Sequence, residues 1–186
     1  MVVALRLTLD EFLALPEEEP ALELEADGTV VQKVSPKGKH SRLQLTLCEH
    51  INRFSESGRL ALAFPELRTV FGGAAYVPDV SVYRWDRIPR GRDGEVANDF
   101  RAAPDIAVEI VSPDQSTNAL VRRCVWYVEH GVLIALLVDP IDRSVVHFSP
   151  NMQPRVLRGA DAISMGEVLP DFALAVTELF ATLRLS

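Results

Sequence analysis

The sequence predicts an α/β fold in which a mixed central sheet is flanked by helices. The run Ile106-Ala-Val-Glu-Ile-Val111 is apolar apart from Glu109, which is typical of a strand buried on both faces. A helical pattern over 116–130 and a second apolar run over 132–138 follow it. Such a strand–helix–strand unit places the two strands side by side and parallel. An alternating segment over 21–34 predicts a hairpin, so antiparallel strands are expected as well.

The first third of the chain contains three elements with clear sequence signals. The capping-box pattern Thr8-Leu-Asp-Glu11 predicts a short helix that ends near Pro16. The pair Asp27-Gly28 lies at the centre of the segment 21–34 and predicts the turn of an N-terminal hairpin. Apolar residues recur at helical spacing over 41–56 and predict a long helix with one buried face. That face consists of Leu43, Leu47, Ile51 and Phe54.

Strands are predicted in the middle of the chain. Two strands, over 60–71 and 74–83, are expected on either side of Gly72-Gly73, and the polar segment 85–103 predicts a long surface loop. The other expected elements are a buried strand over 105–111, a helix over 116–130, strands over 132–138 and 144–149, and a small helix over 177–183. Because no repeat or linker interrupts the 186 residues, a single domain over 1–186 is expected.

Composition narrows the class of protein. The net charge of −7 and the pI near 5.1 argue against a nucleic-acid coat protein, whose domain is usually basic. Basic residues still cluster over 33–42 and 84–92, where a solvated face and a phosphate-binding surface are both open interpretations. The chain has neither an apolar run of about twenty residues nor a signal-peptide pattern, and Cys48 and Cys124 lack metal-ligand spacing. We therefore expect a cytoplasmic protein with reduced cysteines and no membrane partner.

The most informative residue is Glu109, because an isolated ionised group in a buried strand is costly unless it is paired or coordinated to a metal. A second acid, Asp79, lies in the strand pattern Tyr76–Tyr83. Carboxylates on neighbouring strands commonly hold a hard divalent cation. The residues alone support an alternative equally well, in which Asp79 caps a turn after Pro78 and Glu109 pairs with a buried arginine. Asp105, which also follows a proline, is interpreted as a strand-entry residue.

Five motifs then occur in an order that resembles a known family. They are Pro36-Lys-Gly-Lys-His-Ser41, Val77-Pro-Asp-Val-Ser81, Ala103-Pro-Asp-Ile-Ala-Val-Glu-Ile-Val-Ser-Pro113, Tyr127 with Gly131-Val132, and Val138-Asp-Pro140. Over about 22–150 the chain resembles the Uma-type restriction endonuclease family, within the PD-(D/E)XK nuclease superfamily. The resemblance implies a restriction-endonuclease-like core and hydrolysis of DNA phosphodiester bonds. It also implies a Mg²⁺ site, with Mn²⁺ as a substitute, whose ligands are Asp79 and Glu109.

The chain departs from the superfamily pattern at one position. The pattern has a lysine two residues after the second acid, where this chain has Val111. In the resembled family that lysine lies on the following helix, four residues before the tyrosine, and the corresponding residue here is Arg123. A helical wheel places Arg123 beside Tyr127 and turns Arg122 away, so Arg123 is the predicted site residue, although two solvated arginines remain an alternative. Arginine stabilises phosphate charge but cannot accept a proton, so hydrolysis is expected to be slower or lost.

Two further residues complete the predicted site. The resembled family places a glutamate near the hairpin turn, where this chain has both Glu23 and Glu25, and Glu25 is preferred. His40 precedes the helix 41–56 on its inward side, where it is expected either to contact the site or to be purely structural.

The sequence leaves two main functions open. The first is a metal-dependent endonuclease acting on DNA, with RNA not excluded, in which the segments 33–42 and 84–92 flank the metal and contact phosphates. The second is a catalytically degenerate nuclease fold that serves as a nucleic-acid or protein interaction module, which the missing lysine favours. A homodimer is expected in the first case, and a homodimeric α/β protein without nuclease chemistry is the third, plainer alternative.

Overall fold

The computed structural model describes residues 6–113 and 115–185. Four helices lie along this part of the chain: α1 (Leu9–Leu13), α2 (Gly38–Ser55), α3 (Thr117–Glu129) and α4 (Val176–Ala181). The strands before α3 are β1 (Leu22–Leu24), β2 (Val30–Gln32), β3 (Ala61–Pro65), β4 (Thr69–Phe71), β5 (Ala74–Tyr76), β6 (Val80–Arg84) and β7 (Ile106–Ile110). Those after it are β8 (Ile134–Asp139), β9 (Ser144–Phe148), β10 (Arg155–Arg158), β11 (Ala162–Met165) and β12 (Leu169–Ala175).

The centre of the fold is a six-stranded mixed sheet with the order β10-β9-β8-β7-β6-β3. Strands β7 and β8 are parallel, and the other neighbouring pairs are antiparallel. Helix α3 connects the two parallel strands, which confirms the predicted strand–helix–strand unit. Successive residues of a strand point to opposite faces. Accordingly, Val108 and Ile110 pack in one core cluster with α2, whereas Ala107 packs in another with α3. The predicted mixed sheet flanked by helices is thus confirmed.

A smaller sheet of order β2-β1-β5-β4 lies beside the central one and contains the predicted N-terminal hairpin. The strands predicted over 60–71 and 74–83 are each broken in two, which corrects the prediction. One break follows β3 at Glu66, whose φ of 49° turns the chain, and the other is at 77–79. Pro78 has no N–H to continue a ladder. The second break leaves Asp79 at the end of the central sheet, just before β6.

Other differences concern boundaries. Helix α2 begins three residues before the predicted Ser41, so His40 lies within its first turn. Strands β10, β11 and β12 were not predicted. The segment 85–103 has little regular structure, as predicted, but it buries Phe100. The N-terminal Met1–Leu5, for which no signal peptide was predicted, lies outside the described residues.

The tight turn between β4 and β5 brings α3 close to the small sheet. Gly72 and Gly73 have φ of 57° and 80°, as a two-residue hairpin turn with left-handed central residues requires. A Cβ atom on Gly72 would lie only 2.9 Å from the Trp126 side chain and 2.7 Å from that of His130. Glycine at this turn therefore permits both the backbone conformation and the packing of α3. Within the described residues no helix is both long and apolar enough to cross a membrane.

Candidate active site

The two predicted acids meet where β6 and β7 adjoin the break at 77–79. Val80 pairs with Val108 in the antiparallel register, so the next position outward places Asp79 opposite Glu109. Asp79 Oδ2 accepts a hydrogen bond of 2.6 Å from the Ile110 backbone N–H. The residues Asp79 and Glu109 are only 2% and 1% exposed. The structure therefore brings together two buried carboxylates from neighbouring strands.

A lysine of the basic segment 33–42, which was predicted to flank the metal, contacts the first of these acids. Lys33, which follows β2, places its Nζ 2.7 Å from Asp79 Oδ1 and 2.8 Å from Glu66 Oε2. Burial opposes the charged form of Lys33, but the carboxylates of Asp79, Glu109 and Glu66 outweigh it and raise its pKa. Lys33 is therefore a permanent cation at neutral pH. Gln44 of α2 fixes the arrangement, because its Nε2 donates to the Asp79 carbonyl and to Glu66 Oε1.

His40 also reaches Asp79, from the first turn of α2. Its Nε2 lies 2.9 Å from Asp79 Oδ2, so this nitrogen carries the hydrogen when the carboxylate is ionised. Its Nδ1 is buried and has no hydrogen-bond partner among the described residues. Burial of Asp79 opposes ionisation, but the hydrogen bond with His40 and the charge of Lys33 outweigh it, so the pKa of Asp79 is lowered. Asp79 is ionised at neutral pH.

Glu109 lies in a different environment. Its Oε1 accepts a hydrogen bond of 2.7 Å from the Tyr127 hydroxyl, and the Arg123 Nη1 is 3.8 Å away. Burial raises the pKa of Glu109 well above its ordinary value, Arg123 offsets part of the shift, and the charge of Asp79 adds to it. Burial likewise raises the pKa of Tyr127, so its hydroxyl remains a donor. Among the described residues, Glu109 thus has no cation at hydrogen-bonding distance, whereas Asp79 has Lys33.

Arg123 faces inward, as the helical wheel predicted, and binds the early glutamate. Its Nη2 lies 2.7 Å from Glu23 Oε2, and its guanidinium is 4.8 Å from the centre of the Tyr76 ring. Glu23 Oε1 accepts a hydrogen bond of 2.9 Å from the Val77 N–H, next to the interruption between β5 and β6 that positions Asp79. The preference for Glu25 is therefore corrected. Glu23 belongs to the cluster of charged side chains around Asp79 and Glu109, whereas Glu25 lines a pocket beside that cluster. Alternation would place Glu23 and Glu25 on the same face, but β1 ends at Leu24, so Glu25 lies beyond the strand and does not follow this pattern.

A pocket of about 450 Å³ adjoins the cluster, between the β1–β2 hairpin and α3. Glu23 and Tyr76 lie in its wall. The residues that line it also include Val31, Lys33 and Val34 on the hairpin side and Ala119, Arg122, Arg123 and Trp126 on the helix side. Lys33 and Arg123 thus connect the pocket to Asp79 and Glu109, which lie behind them.

The two predicted metal ligands meet the minimum requirement for Mg²⁺. This ion is usually held by one or two carboxylates and keeps several waters or phosphate oxygens as its other ligands. The cluster contains four carboxylates, those of Glu23, Glu66, Asp79 and Glu109, against the permanent cations Lys33 and Arg123. Within residues 6–113 and 115–185, no group of three or more His, Cys, Asp or Glu side chains is placed to hold a metal. Asp79 and Glu109 could therefore hold a hydrated ion, but not one enclosed by protein ligands alone.

The basic segment 84–92 does not flank this site, which corrects the prediction. Arg84 Nε and Arg87 Nη1 lie 2.9 and 2.7 Å from Asp105 Oδ1, at the start of β7. Strands rise about 3.3 Å per residue, so Asp105 is about 13 Å along the strand from Glu109. Asp105 accepts from the Arg84 backbone N–H as well, in agreement with its interpretation as a strand-entry residue.

Two contributors to the cluster, Glu66 and Gln44, were not predicted. Lys33 was predicted to lie near the metal only as part of the basic segment 33–42, because no local pattern distinguishes it from Lys37 or Lys39. Gln44 carried a weak signal, because a polar residue beside Leu43 on the buried side of an amphipathic helix needs a partner. Glu66 follows β3 at a turn that was not predicted.

Comparisons with known proteins agree with this architecture. A sequence model of the Uma2 family, described as "Putative restriction endonuclease", matches residues 9–177. No curated protein matches the chain. A crystal structure described as a "putative nuclease belonging to DUF820", from Anabaena variabilis ATCC 29413, is 39% identical in sequence and superposes with a TM-score of 0.91. The match covers 96% of this chain and 99% of that one. Because the family model spans most of the sequence, the chain belongs to the Uma2 family.

Proposed function

We propose that this protein is a metal-dependent nuclease that hydrolyses phosphodiester bonds in DNA, with Mg²⁺ or Mn²⁺ bound by Asp79 and Glu109. The observation that carries the proposal is the placement of these buried carboxylates opposite each other at the end of β6 and β7. Membership of a family described as "Putative restriction endonuclease", and the likeness to a crystal structure described as a "putative nuclease", support the same chemistry.

The bound ion supplies activation of the attacking water and stabilisation of charge on the phosphate. The chain itself supplies two further cations. Lys33 lies against Asp79, and Arg123 lies near Glu109, so both can stabilise negative charge that develops on the phosphate. Neither side chain accepts a proton readily, because the pKa of each is raised by the surrounding carboxylates despite burial. Their role is therefore electrostatic, and the ammonium group of Lys33 stands in for the lysine that is missing at Val111.

Two side chains orient the carboxylates. The Tyr127 hydroxyl holds Glu109 Oε1, and His40 with the Ile110 N–H holds Asp79 Oδ2. Each of these contacts uses one oxygen of a carboxylate, as expected of partners that fix the direction of a metal ligand. His40 thus acts through Asp79 and is a positioning residue.

The direct test is cleavage of plasmid DNA and of single-stranded DNA and RNA oligonucleotides with Mg²⁺, with Mn²⁺ and with EDTA. The wild-type protein is expected to cleave DNA only with a divalent ion, and Glu109→Gln is expected to abolish cleavage. Glu167→Gln makes the same chemical change on the surface and should cleave normally. Undiminished cleavage by Glu109→Gln would overturn the assignment.

A second candidate is a nuclease fold that binds nucleic acid or a protein without hydrolysing it. The specific observation in its favour is that Asp79 is already engaged by Lys33, His40 and the Ile110 N–H. An ion held by both carboxylates would have to share Asp79 with Lys33. Calorimetric titration with Mg²⁺ separates the two functions: a nuclease binds the ion, and Asp79→Asn weakens that binding. The non-catalytic protein would give no binding heat with either form.

A further inference from the structure

The pocket beside the carboxylate cluster indicates what kind of nucleic acid reaches it. We infer that the pocket receives one unstacked nucleotide, so that the substrate is single-stranded or locally unpaired at the scissile position. This inference rests on the proposed nuclease function and concerns the substrate class of the same site. It depends on the depth, size and chemistry of the pocket.

Depth is the first argument. Asp79 and Glu109 are almost completely buried, and the Lys33 and Arg123 side chains in front of them are only 7% and 15% exposed. A phosphodiester must therefore enter the recess in order to meet these groups. The backbone of a stacked, paired duplex is held on the outside of a stiff cylinder. An unpaired nucleotide, whose backbone bends freely, can enter.

Size and lining are the second argument. A volume of about 450 Å³ lies within the range of about 300–1,000 Å³ typical of small-molecule sites, and it is too small for a base pair with both backbones. Val31, Val34 and the partly buried Trp126, whose ring is stacked on that of His130, line the pocket with apolar surface for a base. The amides of Gln32 and Gln115 can hydrogen-bond with base edges. The pocket thus combines a place for a base with cations for its phosphate.

The charged residues that line the two pockets indicate the side from which a nucleic acid enters. The larger pocket on the other side of Glu66, about 710 Å³, is lined by five carboxylates and two arginines. Such a surface repels phosphates. The pocket between the hairpin and α3 instead contains Lys33, Arg122 and Arg123 against Glu23 and Glu25. A nucleic-acid strand is therefore expected to approach the cluster from the side of α3.

Binding can be measured without cleavage through Trp126. The chain has two tryptophans, and Trp85 lies outside this pocket, so Trp85→Phe leaves Trp126 as the only reporter. With Ca²⁺ in place of Mg²⁺, a single strand of about twelve thymidines should quench Trp126 emission saturably, because base–aromatic contact is the expected mode. A blunt DNA hairpin should bind at least about tenfold more weakly. Equal or tighter binding of the hairpin, or no change in Trp126 emission with the single strand, would overturn the inference.

A pair of neighbouring substitutions tests whether the pocket itself is the binding site. Ala119→Leu adds bulk to the wall of the pocket, one helical turn before Arg123, whereas Asn118→Leu adds the same side chain on α3 outside the wall. Only Ala119→Leu should weaken binding of the single strand, by about tenfold. Equal affinity of the two variants would overturn the placement. Binding without cleavage of any substrate would overturn the nuclease function and leave the pocket assignment standing. Efficient cleavage of fully paired DNA would instead support the nuclease function and overturn the inference about the pocket.

Discussion

Two proline–aspartate pairs occupy opposite ends of the same pair of strands, and they differ in one respect. Asp79 follows Pro78 before β6, and Asp105 follows Pro104 before β7. Both are buried, and each accepts a hydrogen bond from a backbone N–H of the other strand or its end. By local sequence the two positions are equivalent.

Their surroundings make the difference. Asp105 contacts two arginines, Arg84 and Arg87, whose side chains are 41% and 35% exposed. Asp79 shares Lys33 with Glu66 and lies opposite Glu109. A buried acid with an excess of cations is a structural ion pair. An excess of carboxylates around a buried acid favours the entry of a further cation, which is the basis of the proposed chemistry.

The largest contrast between the two aspartates is expected in activity. Asp79→Asn should reduce cleavage by at least about 10³-fold, because a metal ligand that supports several kcal/mol of charge stabilisation is lost. Asp105→Asn should retain most of its activity at temperatures where it is folded. Initial rates on single-stranded DNA, measured beside circular dichroism at the same temperature, make the comparison. Equal losses in two folded variants would remove the functional distinction.

Lys33 is the next largest contributor. Lys33→Met should lower the cleavage rate by about 10²-fold, since one charge-stabilising donor near the phosphate disappears. The matched control is Lys39→Met, which removes the same charge from an exposed position in α2. If both variants cleave at the wild-type rate, Lys33 is not the cation that replaces the missing lysine.

How far the sequence predicts this site depends on which residues are considered. Asp79 and Glu109 were predictable, because alternation and the buried character of β7 place both acids on neighbouring strands of one sheet. Lys33 and Glu66 were not individually predictable, because their approach to Asp79 depends on how two predicted strands are each divided between different sheets. Backbone angles at Glu66 and the missing N–H of Pro78 cause those breaks, and neither has a strong local pattern.

The stability of Asp105→Asn tests the structural role assigned to Asp105. Asp105→Asn leaves Arg84 and Arg87 facing a neutral amide and should lower the free energy of unfolding by about 2 kcal/mol. This is less than the loss of a fully buried pair, because solvent reaches both arginines. Urea unfolding at neutral pH measures the change. A loss within about 0.5 kcal/mol, as for an ordinary surface substitution, would argue against a structural ion pair.

The smallest predicted effect is on the stability of a variant at Glu109. It tests the excess of carboxylates around Asp79 without a cleavage assay. Burial raises the pKa of Glu109 in the folded protein above its value in the unfolded chain, so the fold is stabilised only while this carboxyl is protonated. In EDTA, the contribution of Glu109 to stability should therefore fall as the pH rises above the ordinary glutamate pKa of about 4.3. Glu109→Gln keeps the hydrogen-bonding shape without the charge and should be more stable than the wild type by about 1–2 kcal/mol at pH 8, with the gap closing toward pH 4.

Mg²⁺ should reverse the order of stability of the wild type and Glu109→Gln at pH 8. A divalent ion that binds the folded state stabilises it by mass action, by about 2.7 kcal/mol at a hundred times its dissociation constant. Wild-type protein should therefore gain stability with Mg²⁺ at pH 8, whereas Glu109→Gln and Asp79→Asn should gain little. Glu167→Gln, exposed and distant in sequence from both acids, should follow the wild type in every condition. If Mg²⁺ stabilised Glu109→Gln as much as the wild type, the ion would bind elsewhere, and the surplus of carboxylates that distinguishes Asp79 from Asp105 would have another purpose.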